Sequence, residues 1–290
     1  LYGKSVDRPF KFRDATKKLR KARLQRAWPT LDLSVKPYLG ELPFTPVESD
    51  DLANPERRWA ILRACDIDPT VWPVFSQRGG EQRALERWEA FKLNGLNGYA
   101  RRRNDAANAN GVSRMSAFIH YGNISVMKIA RESADFGTKS ADKYLDELLV
   151  FREHPWHHVF ATTDPHATHH LPDWARRSWR STINDPRPAL PPYRALASGK
   201  SPHRLWNACQ TGLLRHGELH NNVRMTWGKA FPFWTPDLAT SLTWSQTRND
   251  TSALDGRDPS AVGGVHWCPG WFHRAFQPPQ PILGLGRQRN

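Results

Sequence analysis

Apolar residues recur at helical spacing through most of the chain. In the segment 79–105, which begins with a glycine pair, Leu85, Trp88, Phe91 and Leu96 follow one another at intervals of three to five residues. This spacing brings the four side chains to one face of a helix. The segment therefore predicts an amphipathic helix that buries its aromatic face.

A second segment of the same kind has the sequence SADKYLDELLVFRE. Tyr144, Leu145, Leu148 and Phe151 recur at the spacing of one helical face. Pro155 follows shortly afterwards, and a proline inside a helix removes a backbone donor and clashes with the preceding turn. We therefore expect this helix to end or kink near Pro155.

The downstream patterns are also helical. The stretch RLWNACQTGLLRHGELHNNVRMTWGKAF predicts two helical pieces around Gly217, and PDLATSLTWSQTRND predicts a helix that begins near Pro236. Proline-rich breaks at 185–192 and 277–281 separate helices from loops, and the alternating pattern of a half-buried strand is nearly absent. The sequence thus predicts an all-α domain over residues 59–290.

The first 58 residues have a different character. Residues 1–27 predict a basic helical arm, and residues 28–58, which are rich in proline and end in the polar ESDDLANPE, predict an extended linker that covers a surface. No glycine-rich phosphate loop follows a strand anywhere in the chain, so a Rossmann dinucleotide site is not supported.

Composition narrows the class of protein. The 290 residues are 39% hydrophobic and 24% charged, as in ordinary globular proteins, and no run of about 18 apolar residues predicts a membrane span. The chain opens on Leu1, so we expect a processed chain or part of a longer one. Cys65, Cys209 and Cys268 lie far apart without metal-site spacing, which favours an intracellular reducing compartment (cytoplasm, nucleus or organelle) over secretion.

The net charge of +14, with a pI near 10.1, is strongly basic. Residues 1–30 carry ten Lys/Arg against two Asp, or +8, which is more than half of the total. Such a surface attracts polyanions, of which nucleic acid is the commonest. A basic arm of this sort also suits RNA, a ribosome or a partner bound without specificity, so the charge alone does not select DNA.

Thirteen tryptophans are the second unusual feature, because indole is favoured where flat π-systems are stacked. Residues 217–234 read GELHNNVRMTWGKAFPFW and hold two of them beside a single arginine. A core helix would favour Leu and Ala, and a surface helix would favour Glu and Lys. This stretch is therefore a candidate site, although most of the thirteen tryptophans suit a core.

Eight segments occur in an order that resembles a known family: GGEQRALERWEAF, YARRRND, SRMSAFIHYGNIS, LLVFRE, LWNACQ, HGELHNNVRMTWGK, RNDTSALDGRDP and GGVHWCPG. They resemble the FAD-binding helical domain of the DNA photolyase/cryptochrome family over residues 79–290. The forms LWNACQ, RMTWGK and LDGRDP are most similar to class II cyclobutane pyrimidine dimer photolyases. The α/β antenna domain of that family has no counterpart in residues 1–78.

The resemblance implies a set of cofactor-binding residues for FAD. Hydroxyls near a helix start suit a phosphate, although an ordinary helix cap is the simpler reading, and an aspartate with an arginine suits the polar edge of a flavin. By resemblance Arg224 pairs with Asp255, and Asn249 faces flavin N5. The implied set is Tyr99, Ser113, Arg114, Met115, Ser116, Asn221, Arg224, Asn249, Asp255, Gly256 and Arg257.

The resemblance also implies a catalytic electron relay. Trp227 is then the indole nearest the flavin, and Trp206 and Trp234 continue toward solvent at the 21- and 7-residue spacings of class II members. Seven helical residues rise about 10.5 Å on one face. Pro232 interrupts that stretch, so a straight helix between the last two indoles is not expected. Taken alone, the three residues would suit a core.

Substrate contacts follow from the resemblance in the same way. Glu153 matches a glutamate that hydrogen-bonds the damaged pyrimidine pair, and burial would raise its pKa. Met225 and Trp267 would pack on a lesion that enters by base flipping. An ion pair between Glu153 and a neighbouring arginine is the structural alternative.

Six of the twelve histidines fall between His154 and His170. Imidazoles at this spacing could share a metal ion, but no matching carboxylate or cysteine set accompanies them, so no metal site is predicted. A role at the surface or beside the lesion pocket fits them better.

These features predict a light-driven, carbon–carbon lyase flavoprotein that repairs UV-damaged DNA held by its basic surface. Reduced FAD would send an electron to a cyclobutane pyrimidine dimer and regain it after the dimer splits. Two alternatives remain open. One is a cryptochrome-like blue-light flavoprotein without repair, and the other is a photolyase-like subunit of a larger assembly, held through residues 1–58 and without catalysis.

Overall fold

A computed structural model describes residues 6–27 and 34–288. The described residues form helices, with one isolated bridge between Gln280 and Gly284 and no strand, so the predicted all-α fold is confirmed. The helices are α1 (Pro9–Gln25), α2 (Ser49–Ala53), α3 (Pro55–Ala64), α4 (Glu81–Asn94), α5 (Tyr99–Arg102), α6 (Ser116–His120), α7 (Val126–Asp135), α8 (Lys139–Asp146), α9 (Glu153–Phe160), α10 (Asp173–Ser181), α11 (Tyr193–Ala197), α12 (Arg204–His216), α13 (Asn221–Ala230), α14 (Leu238–Ser252) and α15 (Pro259–Trp267).

Short helical segments of other types complete the described structure: the 3₁₀ segments Leu96–Gly98, Thr168–His170 and Phe231–Trp234, and the π segment Glu147–Phe151. None of the described helices combines the length and the apolar character needed to cross a bilayer. An α/β antenna domain is not part of the described structure, because that structure contains no strand.

The chain divides into two compact units, one made of residues 1–25 with 74–290 and the other of residues 26–73. In the larger unit α1 buries Phe12 and Thr16, and Arg13 forms two hydrogen bonds to Asp146 of α8 at 2.7 and 2.9 Å. The basic arm is thus packed through one face of its helix. The boundary predicted after residue 58 stays a prediction, since the contacts divide the chain elsewhere.

The smaller unit contains α2 and α3. Asn54 caps α3, where its side chain accepts hydrogen bonds from the backbone of Glu56 and Arg57 at 2.9 and 3.2 Å. None of its described side chains is buried. Residues 28–33 of the predicted linker, residues 1–5 of the predicted arm and residues 289–290 lie outside the described part.

The larger unit has three buried clusters. The first joins α4 to α8 around Trp88 and Tyr144, the second joins α10 and α15 around Trp179 and Trp271, and the third surrounds Trp206 on α12. Trp88 and Trp179 are core residues whose indoles donate to Glu132 and to the Pro269 carbonyl. The third cluster holds the tryptophans of the candidate site.

Two predicted breaks are present in the backbone. Gly217 ends α12 with φ 65°, and an added Cβ would lie 2.6 Å from Leu254 Cγ, so both conformation and space favour glycine. Before Pro155, α8 passes through the π segment and α9 begins at Glu153, which places the proline in the first helical turn. Pro155 also packs on Gly263 of α15, where an added Cβ would lie 2.4 Å from Pro155 Cβ.

Candidate functional site

A cavity of about 1060 Å³ opens in the larger unit, and its wall includes backbone and side chains from α5, α8, α13 and α15. Many of the residues singled out in the sequence line it. They are Tyr99, Ser113, Arg114, Met115, Ser116, Asn221, Arg224, Met225, Asp255 and Trp267. The others do not line this cavity: Glu153, Trp206, Trp227, Trp234, Asn249, Gly256 and Arg257.

Arg224 and Asp255 form the predicted ion pair on the cavity wall. Arg224 Nη1 donates to Asp255 Oδ2 at 3.1 Å, and Nη2 donates to Oδ1 at 2.6 Å, a bidentate arrangement. Burial disfavours the charged carboxylate, but the guanidinium charge and its hydrogen bonds outweigh that cost, so the pKa of Asp255 is lowered. Arg224 Nε is buried and has no partner among the described residues. The Nε–H donor is therefore available to a ligand.

The loop before α6 carries the predicted phosphate hydroxyls. Tyr144 donates its hydroxyl to Ser113 Oγ at 3.0 Å, which leaves the Ser113 hydroxyl hydrogen available to an acceptor in the cavity. No side chain caps α6, so a helix cap does not explain Ser113 or Ser116. Arg114 adopts φ 55° in this loop and pairs with Glu218.

Charged residues that the sequence reasoning missed also line this cavity. Arg103 Nη2 lies 2.9 Å from Glu147 Oε2, and Lys143 Nζ lies 2.7 Å from Glu147 Oε1. Burial, with the Glu147 charge, raises the pKa of Tyr99 to about 12, so its hydroxyl stays protonated. The only available signal was the charge of YARRRND, which is equally typical of a solvated helix end.

Asn249 is 1% exposed, and its amide is engaged by the protein itself. Nδ2 donates to the Gly256 carbonyl at 2.8 Å. A Cβ on Gly256 would lie 2.2 Å from the Asn249 carbonyl oxygen, so the two backbones meet where only glycine fits. Asn249 thus holds the turn that presents Asp255, and its contact with flavin N5 stays a prediction. Arg257 is exposed.

Trp227, Trp206 and Trp234 form one series of ring contacts. The Trp206 and Trp227 rings have centroids 6.1 Å apart and planes 5° apart, whereas Trp206 and Trp234 meet edge to face at 5.3 Å. The Trp206 indole donates to the Trp227 carbonyl at 3.1 Å, and the Trp227 indole donates to Gln210 at 3.0 Å. Trp227 lies one helical turn after Arg224, which lines the cavity. α13 ends at Ala230, and Pro232 belongs to the following 3₁₀ segment.

Glu153 lies beside the cavity and is paired with its neighbour. Arg152 Nη1 donates to Glu153 Oε1 at 2.9 Å, and Nη2 donates to Asp258 Oδ2 at 2.8 Å. Burial raises the pKa of Glu153 and the Arg152 charge opposes that rise. Arg152, rather than Glu153, lines the cavity, so the geometry matches the structural alternative. The contact of Glu153 with substrate stays a prediction.

The histidines form an aromatic cluster. The His266 ring stacks on Trp271 with centroids 4.2 Å apart and planes 17° apart, and the His158 ring meets both edge on at 5.7 Å. Burial, with the neighbouring histidines, lowers the pKa of His266 to about 3 and that of His158 to about 4. Within the described ranges no three His, Cys, Asp or Glu side chains are grouped to hold a metal ion.

Two solved structures share the fold of this chain. The fold matches a class III photolyase from Agrobacterium tumefaciens (TM-score 0.52, 21% identity, 66% of this chain and 38% of that one). It also matches a cryptochrome from Synechocystis sp. PCC6803 (TM-score 0.55, 18% identity, 73% of this chain and 43% of that one). The fold is therefore that of a helical domain of the photolyase/cryptochrome type.

Sequence relatives extend this likeness. A deoxyribodipyrimidine photo-lyase of Methanothermobacter thermautotrophicus is 33% identical over 225 residues, which cover 78% of this chain and 48% of that protein. One from Oryza sativa subsp. japonica is 29% identical over 264 residues, 87% of this chain and 52% of that protein. No family profile matches. The chain belongs to the photolyase/cryptochrome family and spans about half the length of these relatives.

Proposed function

We propose that this chain is the flavin-binding part of a light-driven enzyme that splits cyclobutane pyrimidine dimers, nearest in type to the class II photolyases. The observation that carries the proposal is one cavity that gathers Ser113, Arg224 and Asp255, with Trp227 one turn beyond Arg224. The names of the relatives, all deoxyribodipyrimidine photo-lyases, support DNA as the substrate.

The residues of the cavity fit FAD. A volume of about 1060 Å³ lies just above the roughly 300–1,000 Å³ usual for ligand sites, which suits a large ligand such as a dinucleotide. The free hydroxyl hydrogen of Ser113 suits a pyrophosphate oxygen, and the unpartnered Arg224 Nε supplies a donor and positive charge. When bound, reduced FAD would supply the light-excited electron for the repair reaction.

The chain's own residues divide the remaining tasks. Arg224 holds Asp255 ionised and orients its carboxylate as an acceptor for a ring N–H. Met225 and Trp267 line the same cavity and supply apolar surface for a flipped pyrimidine pair. Arg152 and Lys143 also line the cavity, and they bind phosphates of the damaged strand by exchanging their pairs with Glu153 and Glu147 for phosphate oxygens.

The tryptophan series supports photoreduction of the cofactor. Trp227, Trp206 and Trp234 are 2%, 4% and 7% exposed, so the indoles pass charge through a dry core rather than through water. The stacked and edge-to-face contacts give each ring a neighbour at 5.3–6.1 Å between centroids. In this assignment Trp227 is the first member and Trp234 the last.

A blue-light flavoprotein without repair is the second candidate. The ion pair of Glu153 with Arg152, which keeps the carboxylate off the cavity wall, favours it. The role of Glu153 as a hydrogen-bond donor to the lesion therefore requires that Arg152 release it during binding.

The test begins with an absorption spectrum of the purified chain, before and after incubation with FAD. Bound-flavin bands support both flavoprotein candidates, and a chain that stays colourless contradicts them and favours the non-catalytic subunit. Light-dependent loss of dimers from UV-irradiated oligonucleotides then separates repair from its absence. A matched dark sample is the control.

A further inference from the structure

A second cavity of about 570 Å³ adjoins the first. One side is formed by α4, and the other by the chain before α6, where Ser113 lines both cavities. Its wall carries Arg78, Arg83 and Arg87 against a single carboxylate, Glu86. The cavity is therefore electropositive, and nothing proposed above uses it.

Arg87 is the half-buried cation of this wall that no carboxylate compensates, and the exposed Arg78 also has no ion pair among the described residues. Arg83 is paired with Glu86 at 2.8 Å, whereas Arg87 has no ion pair or hydrogen bond among the described residues. Burial lowers the pKa of Arg87. The Arg87 charge also repels the guanidinium of Arg114, which is paired with Glu218. A half-buried cation without a counter-charge is costly unless an anion reaches it.

A second polar group on the same wall is also unsatisfied. Both side-chain amide atoms of Gln77 are buried and lack a hydrogen-bond partner among the described residues. Buried polar side chains are normally hydrogen-bonded, so the Gln77 amide at this cavity indicates a missing partner that accepts from Nε2 and donates to Oε1. Phe75, Phe91 and Phe118 line the cavity as well and offer apolar surface next to the charge.

We propose that this second cavity binds a small phosphate-bearing ligand, with Arg87 as its principal cation and with the phenylalanines in contact with the body of the ligand. Its volume lies within the roughly 300–1,000 Å³ usual for small-molecule sites. The site adjoins the proposed flavin cavity and shares Ser113 with it, but its principal cation, Arg87, lines only the second cavity. The phosphate belongs either to free inorganic phosphate or to a nucleoside monophosphate.

Titration calorimetry of the full chain, in low-salt buffer without phosphate, tests the proposal with inorganic phosphate, AMP and adenosine as probes. Arg87→Gln should weaken phosphate and AMP binding by about tenfold or more, because a charge-assisted contact is lost. Arg101→Gln is the matched control, since Arg101 is exposed and lines neither cavity. The Arg101→Gln change should alter the affinity for phosphate and AMP by less than about twofold. Arg87→Lys, which keeps the positive charge, should lose less affinity for phosphate and AMP than Arg87→Gln does.

Tighter binding of AMP than of phosphate assigns a nucleoside monophosphate, and equal affinities assign free phosphate, so both results support an anion site. Absence of binding by phosphate and by AMP, AMP binding no tighter than that of adenosine, or equal losses of affinity in the Arg87→Gln and Arg101→Gln variants overturns it. Saturating FAD is added in a further titration. Loss of phosphate binding there would show that Arg87 belongs to the flavin cavity, which also overturns the proposal.

Discussion

The indole planes of Trp206 and Trp227 are parallel to within 5°, and the Trp206 N–H donates to the backbone carbonyl of Trp227. The two residues come from different helices, α12 and α13. A hydrogen bond from the side chain of one to the main chain of the other locks both the distance and the angle between the rings. This pair is the most constrained part of the tryptophan series.

Replacement of Trp206 by Phe should stop photoreduction while FAD stays bound. The change removes the middle indole and its hydrogen bond. An oxidised Trp227 then has no neighbouring indole from which it can regain an electron. Blue-light bleaching of the flavin absorbance, with an external reductant as the final donor, measures the effect. Trp179→Phe is the control, because Trp179 is a buried indole of another cluster with its own carbonyl partner. Normal photoreduction in Trp206→Phe would refute the relay.

Asp255→Asn should destabilise the chain by about 3–5 kcal/mol, because it leaves the buried Arg224 charge uncompensated. Urea denaturation without added FAD measures the free energy of unfolding. The double variant Arg224→Met with Asp255→Leu removes both charges and should cost less than the single change. A single variant as stable as the unaltered chain would mean that solvent, rather than Asp255, compensates Arg224.

Tyr144→Phe should weaken FAD binding by roughly threefold to tenfold with little effect on folding. The phenyl ring preserves the aromatic contacts of Tyr144, including those with Trp88 and Tyr99, but Ser113 loses the hydroxyl that orients it. Flavin fluorescence titration measures the affinity.

Ser113→Ala and the double variant complete a thermodynamic cycle for this pair. If Tyr144 acts through Ser113, the double variant binds FAD no more weakly than Ser113→Ala. Fully additive losses would contradict that coupling and would assign Tyr144 a separate role in the core.

Acid should destabilise the histidine cluster. Burial depresses the pKa of His266 to about 3 and of His158 to about 4, below the value of 6.5 for an exposed histidine. Their stabilising contribution is complete above about pH 6.5 and is lost as pH falls toward the folded values, since the unfolded chain binds protons first. The neighbouring histidines add repulsion to the pair as they become protonated: His154, His157, His166 and His170.

His266→Phe keeps a ring on Trp271 and removes one titrating group. The slope of unfolding free energy against pH should fall by about 1.4 kcal/mol per unit between pH 4 and 6. Urea midpoints at several pH values give the slope. Phe272→Leu, which trims the same cluster without removing a titrating group, should lower stability equally across that range. An unchanged slope in His266→Phe would contradict burial of a neutral ring.

Several features followed from local sequence. Helical periodicity predicted the all-α fold, and Gly217 marked the break between α12 and α13. The pairing of Arg224 with Asp255 followed from resemblance to a family. These features could be predicted because a helical face and a left-handed glycine depend on residues close together in sequence. The ion pair could be predicted because the order of the motifs resembles that of the family.

Other features depend on side chains that sequence spacing cannot pair. Arg13 meets Asp146 across 133 positions, which packs the predicted basic arm onto α8. Asn249 donates to the carbonyl of Gly256, and Glu153 pairs with Arg152, so both polar groups implied for a ligand are held by the protein. Which of several partners a charged or amide group reaches is decided by burial and distance.

The sequence by itself determined the helices, their principal breaks and the family of the larger unit, because these depend on periodicity and on motif order. Only the tertiary structure decided which side chains line the first cavity. Among the described residues, it left Arg87 without a counter-charge beside the second cavity. The physical reason is that desolvation and charge compensation depend on every neighbour within a few ångströms, and most of those neighbours are remote in the chain.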